Sequence, residues 1–167
     1  MKASIDIQGW RELDAAFRLA PEIVRQELLA AVTEADQLLE REVKDKTPTA
    51  TGGSRASIFS REQALESGAI GVVGSAQPHI AYIELGTKPH FPPIEALEDW
   101  VRVKLGISDE KKIHDVAFLV ARKIAARGTL GVGMFHRTWA QQQPAVVAMF
   151  ERARDRIVAR MAAAGGA

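Results

Sequence analysis

The 167-residue sequence predicts an α+β fold, with several amphipathic helices packed on a small antiparallel β-sheet. Three observations carry that expectation. Long segments repeat apolar residues at three- and four-residue spacing, which marks a helix with one buried face. Two short Ser/Ile/Phe/Val-rich stretches near the middle are bounded by turn residues, the pattern of a hairpin. No internal repeat or linker divides the chain, and its length suits one core, so residues 1–167 read as a single domain.

Residues 3–7, "ASIDI", alternate apolar and polar positions and read as a short first strand suited to a sheet edge. Gly9 leads into a helix in which Trp10, Leu13 and Phe17 share a face. Pro21 is expected to start a new helix, because its missing N–H falls where helix donors are unpaired anyway. That helix carries Val24, Leu28, Ala31, Ala35 and Leu38 as a stripe to about Lys46. Pro48 ends it, and the "TPTATGG" segment there has almost nothing to bury, so a mobile loop is expected over about 46–54. Strands are expected at 54–62 and 67–76, joined through "QALES".

Residues 81–93, "AYIELGTKPHFPP", begin apolar and run into a Gly and three prolines. Gly86 permits a turn with positive φ, and the prolines at 89, 92 and 93 restrict the chain beyond it, so the stretch reads as an elbow that aims Phe91. A valine at 86 is expected to cost on the order of 1–3 kcal/mol locally and to leave the fold intact. Pro93 suits the first turn of a helix with Leu97, Val101 and Leu105 on one face around Trp100, and Gly106 suits its C-terminal stop. Ser108 is expected to cap the next helix, with Asp109 and Glu110 in its first turn and Ile113, Val116, Ala117, Val120 and Ile124 along one side. "GTLGVGMF" at 128–135 reads as a Gly-rich connection between helices. The last helix places Trp139, Val146, Phe150, Ala153 and Ile157 on one face, with Pro144 kinking it or starting its main segment. Residues 162–167 are expected to fray.

The composition excludes several functions. There is no cysteine, so disulfides and thiolate metal sites are absent. The net charge of +1, from 22 basic and 21 acidic residues, gives no general drive toward nucleic acid. No apolar run approaches the ~18 residues needed to cross a bilayer, and the start lacks the apolar core of a secretory signal. His79, Glu84 and His90 match no metal-ligand spacing, and no serine sits in a G-x-S-x-G turn. The Gly-rich 128–133 stretch lacks the Lys-Ser/Thr of a phosphate cradle. Arg152, Arg156 and Arg160 share a helix face, either a solvated side or a basic stripe toward phosphate or an acidic neighbour. These observations predict no catalytic residue, no metal and no cofactor. A small metal-dependent hydrolase and a nucleic-acid-binding module remain as alternatives.

The order "KTPTATGGSRASI", then "VVGSAQPHIAYIELGTKPHFPPIEALEDWVRVKLG", then "VAFLVARKIAARGTLGVGMFHRTW" resembles the tail-completion or head–tail joining (neck) proteins of tailed bacteriophages, minor tail protein Z-like. The matching residues are Thr47, Pro48, Thr51, Gly52, Arg55, Ser57 and Ile58. They continue with Ala81, Tyr82, Glu84, Gly86, Thr87, Pro89, His90 and Phe91, and then with Ala121, Ile124, Gly128, Thr129 and Phe135. The similarity covers roughly residues 20 to 140. Gly53 stands where that family often has Leu, and Met134 where a Pro usually precedes the Phe. The resemblance implies a non-enzymatic structural protein of the virion neck, made in the host cytoplasm. It implies a ring, often of six copies, that meets head-completion or stopper, portal-side adaptor and tail-terminator proteins, with no membrane and with DNA only as passing cargo. It also implies partner contacts through Thr47, Pro48, Thr51, Gly52, Arg55, Gly86, Thr87, Pro89, His90, Phe91, Met134 and Phe135.

Overall fold

In the computed structural model the described residues are 10–48, 52–66 and 68–165. The fold is α+β. Its elements run α1 (Trp10–Lys46), α2 (Gly53–Ala56), β1 (Ile58–Leu65), β2 (Gly68–Ser75), α3 (His79–Leu85), β3 (Gly86–Thr87), α4 (Glu95–Leu105), α5 (Glu110–Arg127), β4 (Thr129–Leu130) and α6 (Met134–Gly165). Strands β1 and β2 form one two-stranded sheet, and β3 and β4 form another. The strand expected at 3–7, Thr51 within the loop expected to be mobile, and the last two residues lie outside the described residues.

Several element boundaries differ from the sequence expectation, each for a physical reason. Pro21 starts no new helix, because α1 runs through it without a break. An interior proline removes one hydrogen bond, here to the carbonyl of Phe17, at a cost of about 3 kcal/mol or more. Both Pro21 and Phe17 are exposed, so water can reach that carbonyl. Pro144 lies inside α6 with Ala140 one turn earlier, and both are exposed in the same way. Residues 53–56 are a helical turn, with Ala56 and Ser57 N–H bonded to the Gly52 and Gly53 carbonyls, so β1 begins at Ile58 and takes in most of the expected connection. Helix α4 begins at Glu95, two residues after Pro93. Asp109, not Ser108, caps α5, its Oδ1 accepting from the Lys112 N–H at 2.8 Å. Gly106 closes α4 as expected, and Gly128 closes α5, both with positive φ. Helix α6 stays helical to Gly165, through most of the segment expected to fray.

Contacts divide the chain into two compact units. The first comprises Met1–Leu38, Ser60–Val72 and Gln142–Ala167. Its buried residues include Ile23, Ala31, Val32 and Ala35 of α1 and Val146 and Ala153 of α6. The arginines of α6 turn to α1: Arg152 pairs with Glu34 at 2.9 Å, and Arg156 and Arg160 both meet Glu27, at 2.6 and 3.0 Å. The Arg stripe is thus answered by carboxylates of its own chain. The Arg156 guanidinium first, and then that of Arg160, hold the Glu27 carboxyl below its ordinary value of 4.5. A carboxyl depressed in the folded state adds stability above its unfolded pKa, and that share is lost as pH falls through the folded value. Stability should therefore decline below about pH 4.5 less steeply in Glu27→Gln than in the parent. Urea melts across pH 3–7 measure this, and parallel acid limbs would contradict it. Both arginines are solvated, so the effect is at most about 1 kcal/mol.

The second unit comprises Leu39–Phe59 and Val73–Gln141. It holds two apolar clusters. Val43, Ile58, Ile80 and Met134 form one, with Val73, Ile83, Val132 and Phe135 against it. Val101, Ile113 and Ala117 form the other, between α4 and α5. The face expected on α4 is half right: Val101 is fully buried, whereas Trp100 and Leu105 are exposed. On α6, Val146 and Ala153 of the expected face are buried, whereas Trp139 and Phe150 are exposed and Met134 and Thr138 are buried near the helix start.

Candidate functional site

The segment Glu84–Thr87 is held against residues 128–136 by backbone contacts that side chains larger than hydrogen would block. Helix α3 ends at Gly86, whose N–H bonds the Tyr82 carbonyl and whose φ is +79°. The chain then pairs antiparallel with β4, Gly86 opposite Leu130 and Thr87 opposite Thr129. Val132 N–H donates to the Ile83 carbonyl at 2.8 Å, and Gly133 N–H to the Glu84 carbonyl at 3.0 Å. A Cβ on Gly86 would collide with the Thr129 carbonyl, one on Gly128 with that of Thr87, and one on Gly131 with that of Glu84. Three glycines therefore permit one close approach of two backbones. The Gly-rich 128–133 stretch, expected as a connection between helices, is one half of this clasp. Its side chains reinforce it, since Thr87 Oγ1 lies 3.0 Å from Thr129 Oγ1 and accepts from the Thr129 N–H.

Glu84 completes the clasp. Its carboxylate accepts from the N–H groups of Phe135 and His136, each at 3.0 Å. Those are the second and third residues of α6, whose first-turn donors have no partner within the helix. A carboxylate also suits the positive end of the helix dipole. A side chain 51 residues away thus does the work that a neighbouring Ser or Asp does at an ordinary helix start.

The clasp borders a half-open cleft of 640 Å³. Tyr82 and Ile83 of α3, Leu97, Trp100 and Lys104 of α4, Pro92 of the elbow and Leu130 of β4 line it, along with Pro48 and Ser54. Ser54 Oγ is 3.0 Å from His79 Nε2 at the edge of this space. The pair has the atoms of a nucleophile and a base, but among the described residues no carboxylate orients the imidazole as acyl-transfer chemistry uses. His90 Nδ1 meets the Lys88 carbonyl at 2.9 Å. His79, Glu84 and His90 therefore turn to three different partners. Among the described residues no three His, Asp or Glu side chains come together as a metal site, and no helix is long and apolar enough to cross a membrane.

The residues singled out from sequence fall into three groups. Thr47 and Met134 are buried: Thr47 Oγ1 donates to the Val43 carbonyl at 2.6 Å and touches the Met134 sulfur at 3.3 Å. They tie the end of α1 to the start of α6 and leave no surface for a partner, and Phe135 packs half-buried on the same cluster. Gly52, Arg55, Gly86 and Thr87 shape the backbone. Gly52 has φ +91°, and Arg55 Nε donates to the Lys44 carbonyl in the last turn of α1. Pro48, Pro89, His90 and Phe91 are exposed. Phe91 is 53% exposed and meets Phe118 of α5 edge-on at 6.2 Å, so the elbow aims it along α5 rather than into a core. Thr51 lies outside the described residues.

Sequence reading missed the capping role of Glu84 and the pairing of Thr87 with Thr129. A signal for the second was present: the dipeptide Gly-Thr occurs at 86–87 and again at 128–129. No protein-family model matches the chain, and no curated protein or solved structure is significantly similar to it.

Proposed function

We propose that this chain is a structural subunit of a phage neck, a tail-completion or head-to-tail joining protein that assembles as a ring, of six copies by the resemblance, between head connector and tail. In this reading it is not an enzyme. Its neighbours are further copies of itself and the head-completion, adaptor and terminator proteins of the neck, and its place is the virion. The resemblance across residues 20 to 140 suggests the role. One structural observation carries its physical side: apolar side chains stand exposed on an anchored backbone. Leu85 is 80% exposed and Leu130 is 96% exposed. The pairing of Gly86 with Leu130 brings them to the same end of the clasp, and Tyr82 lies one turn before Leu85. Large apolar side chains this exposed on neighbouring segments are the raw material of an interaction surface. An anchored backbone has lost its conformational entropy before docking, which favours association.

The test is localisation in particles. Gold-labelled antibody against the chain should decorate the head–tail junction of virions made by a host that encodes it, and particles lacking the chain should appear as unjoined heads and tails. Label elsewhere on the particle, or normal joined particles without the chain, would reject the neck role.

A further inference from the structure

The cleft beside the clasp combines three features that together specify an occupant. Its walls present flat amphipathic rings, Tyr82 and Trp100, with Pro48 and Pro92. Tyrosine and tryptophan dominate the energetics of protein contacts because they bury much area for little lost freedom. The second feature is charge. Among the described residues no Asp or Glu lines this cleft, and the Lys or Arg that does is Lys104. Lys104 is exposed and makes no ion pair among the described residues. The third feature is a set of hydroxyls on the lining, the Ser54–His79 pair and the Thr87–Thr129 pair.

We infer that the cleft binds an extended peptide segment of a partner protein, with apolar side chains against Tyr82 and Trp100 and a carboxylate toward Lys104. The hydroxyls decide between a peptide and an acyl-chain carboxylate, which shares the apolar and anionic chemistry. Ser54 and Thr129 each already meet one neighbouring side chain, and an acyl chain would cover their remaining lone pairs without offering a donor. A peptide backbone carries N–H donors that can meet them. A basic segment is disfavoured, since it would bring its charge against Lys104 with no carboxylate in the cleft to answer it. The inference concerns the free subunit and holds whether or not the chain joins heads to tails.

A library of random heptapeptides displayed on a carrier and selected against the immobilised full chain tests it. Selection should enrich sequences with two or more large apolar residues and an Asp or Glu. A synthetic peptide of that consensus should bind the parent chain by calorimetry, more weakly as salt rises. Trp100→Ala should weaken it on the order of tenfold or more, and Lys104→Glu by about tenfold. Both side chains are exposed, so the variants should melt close to the parent. Replacing the peptide's acid with its amide should remove most of the salt dependence and of the Lys104→Glu effect. No enriched consensus, or a consensus peptide that binds both variants as well as the parent, would overturn the inference. Displacement of the peptide by an equal concentration of decanoate would also overturn it, by assigning the cleft to an acyl carboxylate.

Discussion

Gly86→Val should destabilise the protein by about 4 kcal/mol, a large share of the roughly 5–15 kcal/mol of an ordinary domain. Two costs add. A β-branched residue at φ +79° is strained by roughly 1–3 kcal/mol. Its Cβ would also collide with the Thr129 carbonyl, so β3 and β4 must part, at a further cost of about 1–3 kcal/mol. The second cost is not visible from the turn alone, which is why the structure raises the expected effect above that of a local elbow strain. Gly106→Ala is the matched control. It has φ +64° but open space around its Cβ, so it should lose only about 1–2 kcal/mol. Urea denaturation of both variants decides the matter. Equal losses would show that the close approach of the two backbones imposes no constraint.

Glu84→Ala should cost about 3 kcal/mol. It leaves the Phe135 and His136 N–H groups without their acceptor at a half-buried helix start, and bonds to a charged group contribute about 1.5–3 kcal/mol. Glu84→Gln keeps one oxygen and loses the charge, so it should lie between the parent and the alanine variant. Amide exchange gives the sharper reading. Exchange at Phe135 and His136 should accelerate in Glu84→Ala well before that of Ala153, deep in α6. Uniform acceleration along α6 would mean that Glu84 acts on global stability alone. The two variants also bear on the proposed assembly, because Leu85 and Leu130 sit at one end of the β3–β4 pairing.

The sequence reading of residues 81–93 was correct about the kind of object and wrong about what holds it. Gly86 does take positive φ, and the prolines do come after it in an exposed stretch. What anchors the stretch is β4 and the start of α6, more than 40 residues away. Glu84 was weighed as a metal ligand and not as a cap, because nothing in "YIELG" indicates which helix it will cap. The resemblance implied partner contacts through Met134 and Thr47, yet the hydroxyl and the sulfur meet in a core.

By itself the sequence determined the α+β class, the amphipathic periodicity of α4 and α5, and the glycine stops at 106 and 128. These rest on local physics: one buried stripe every 3.6 residues, and a C-terminal residue with positive φ that only glycine adopts at little cost. Tertiary structure alone decided the continuity of α1 through Pro21 and α6 through Pro144, the pairing of the two Gly-Thr dipeptides, and the partners of Glu84 and of Arg152, Arg156 and Arg160. A proline's cost depends on whether water reaches the carbonyl it leaves unbonded, and that is set by which face is exposed. A hydrogen bond or ion pair across 42 to 133 positions depends on how distant segments pack, so no spacing within the sequence records it.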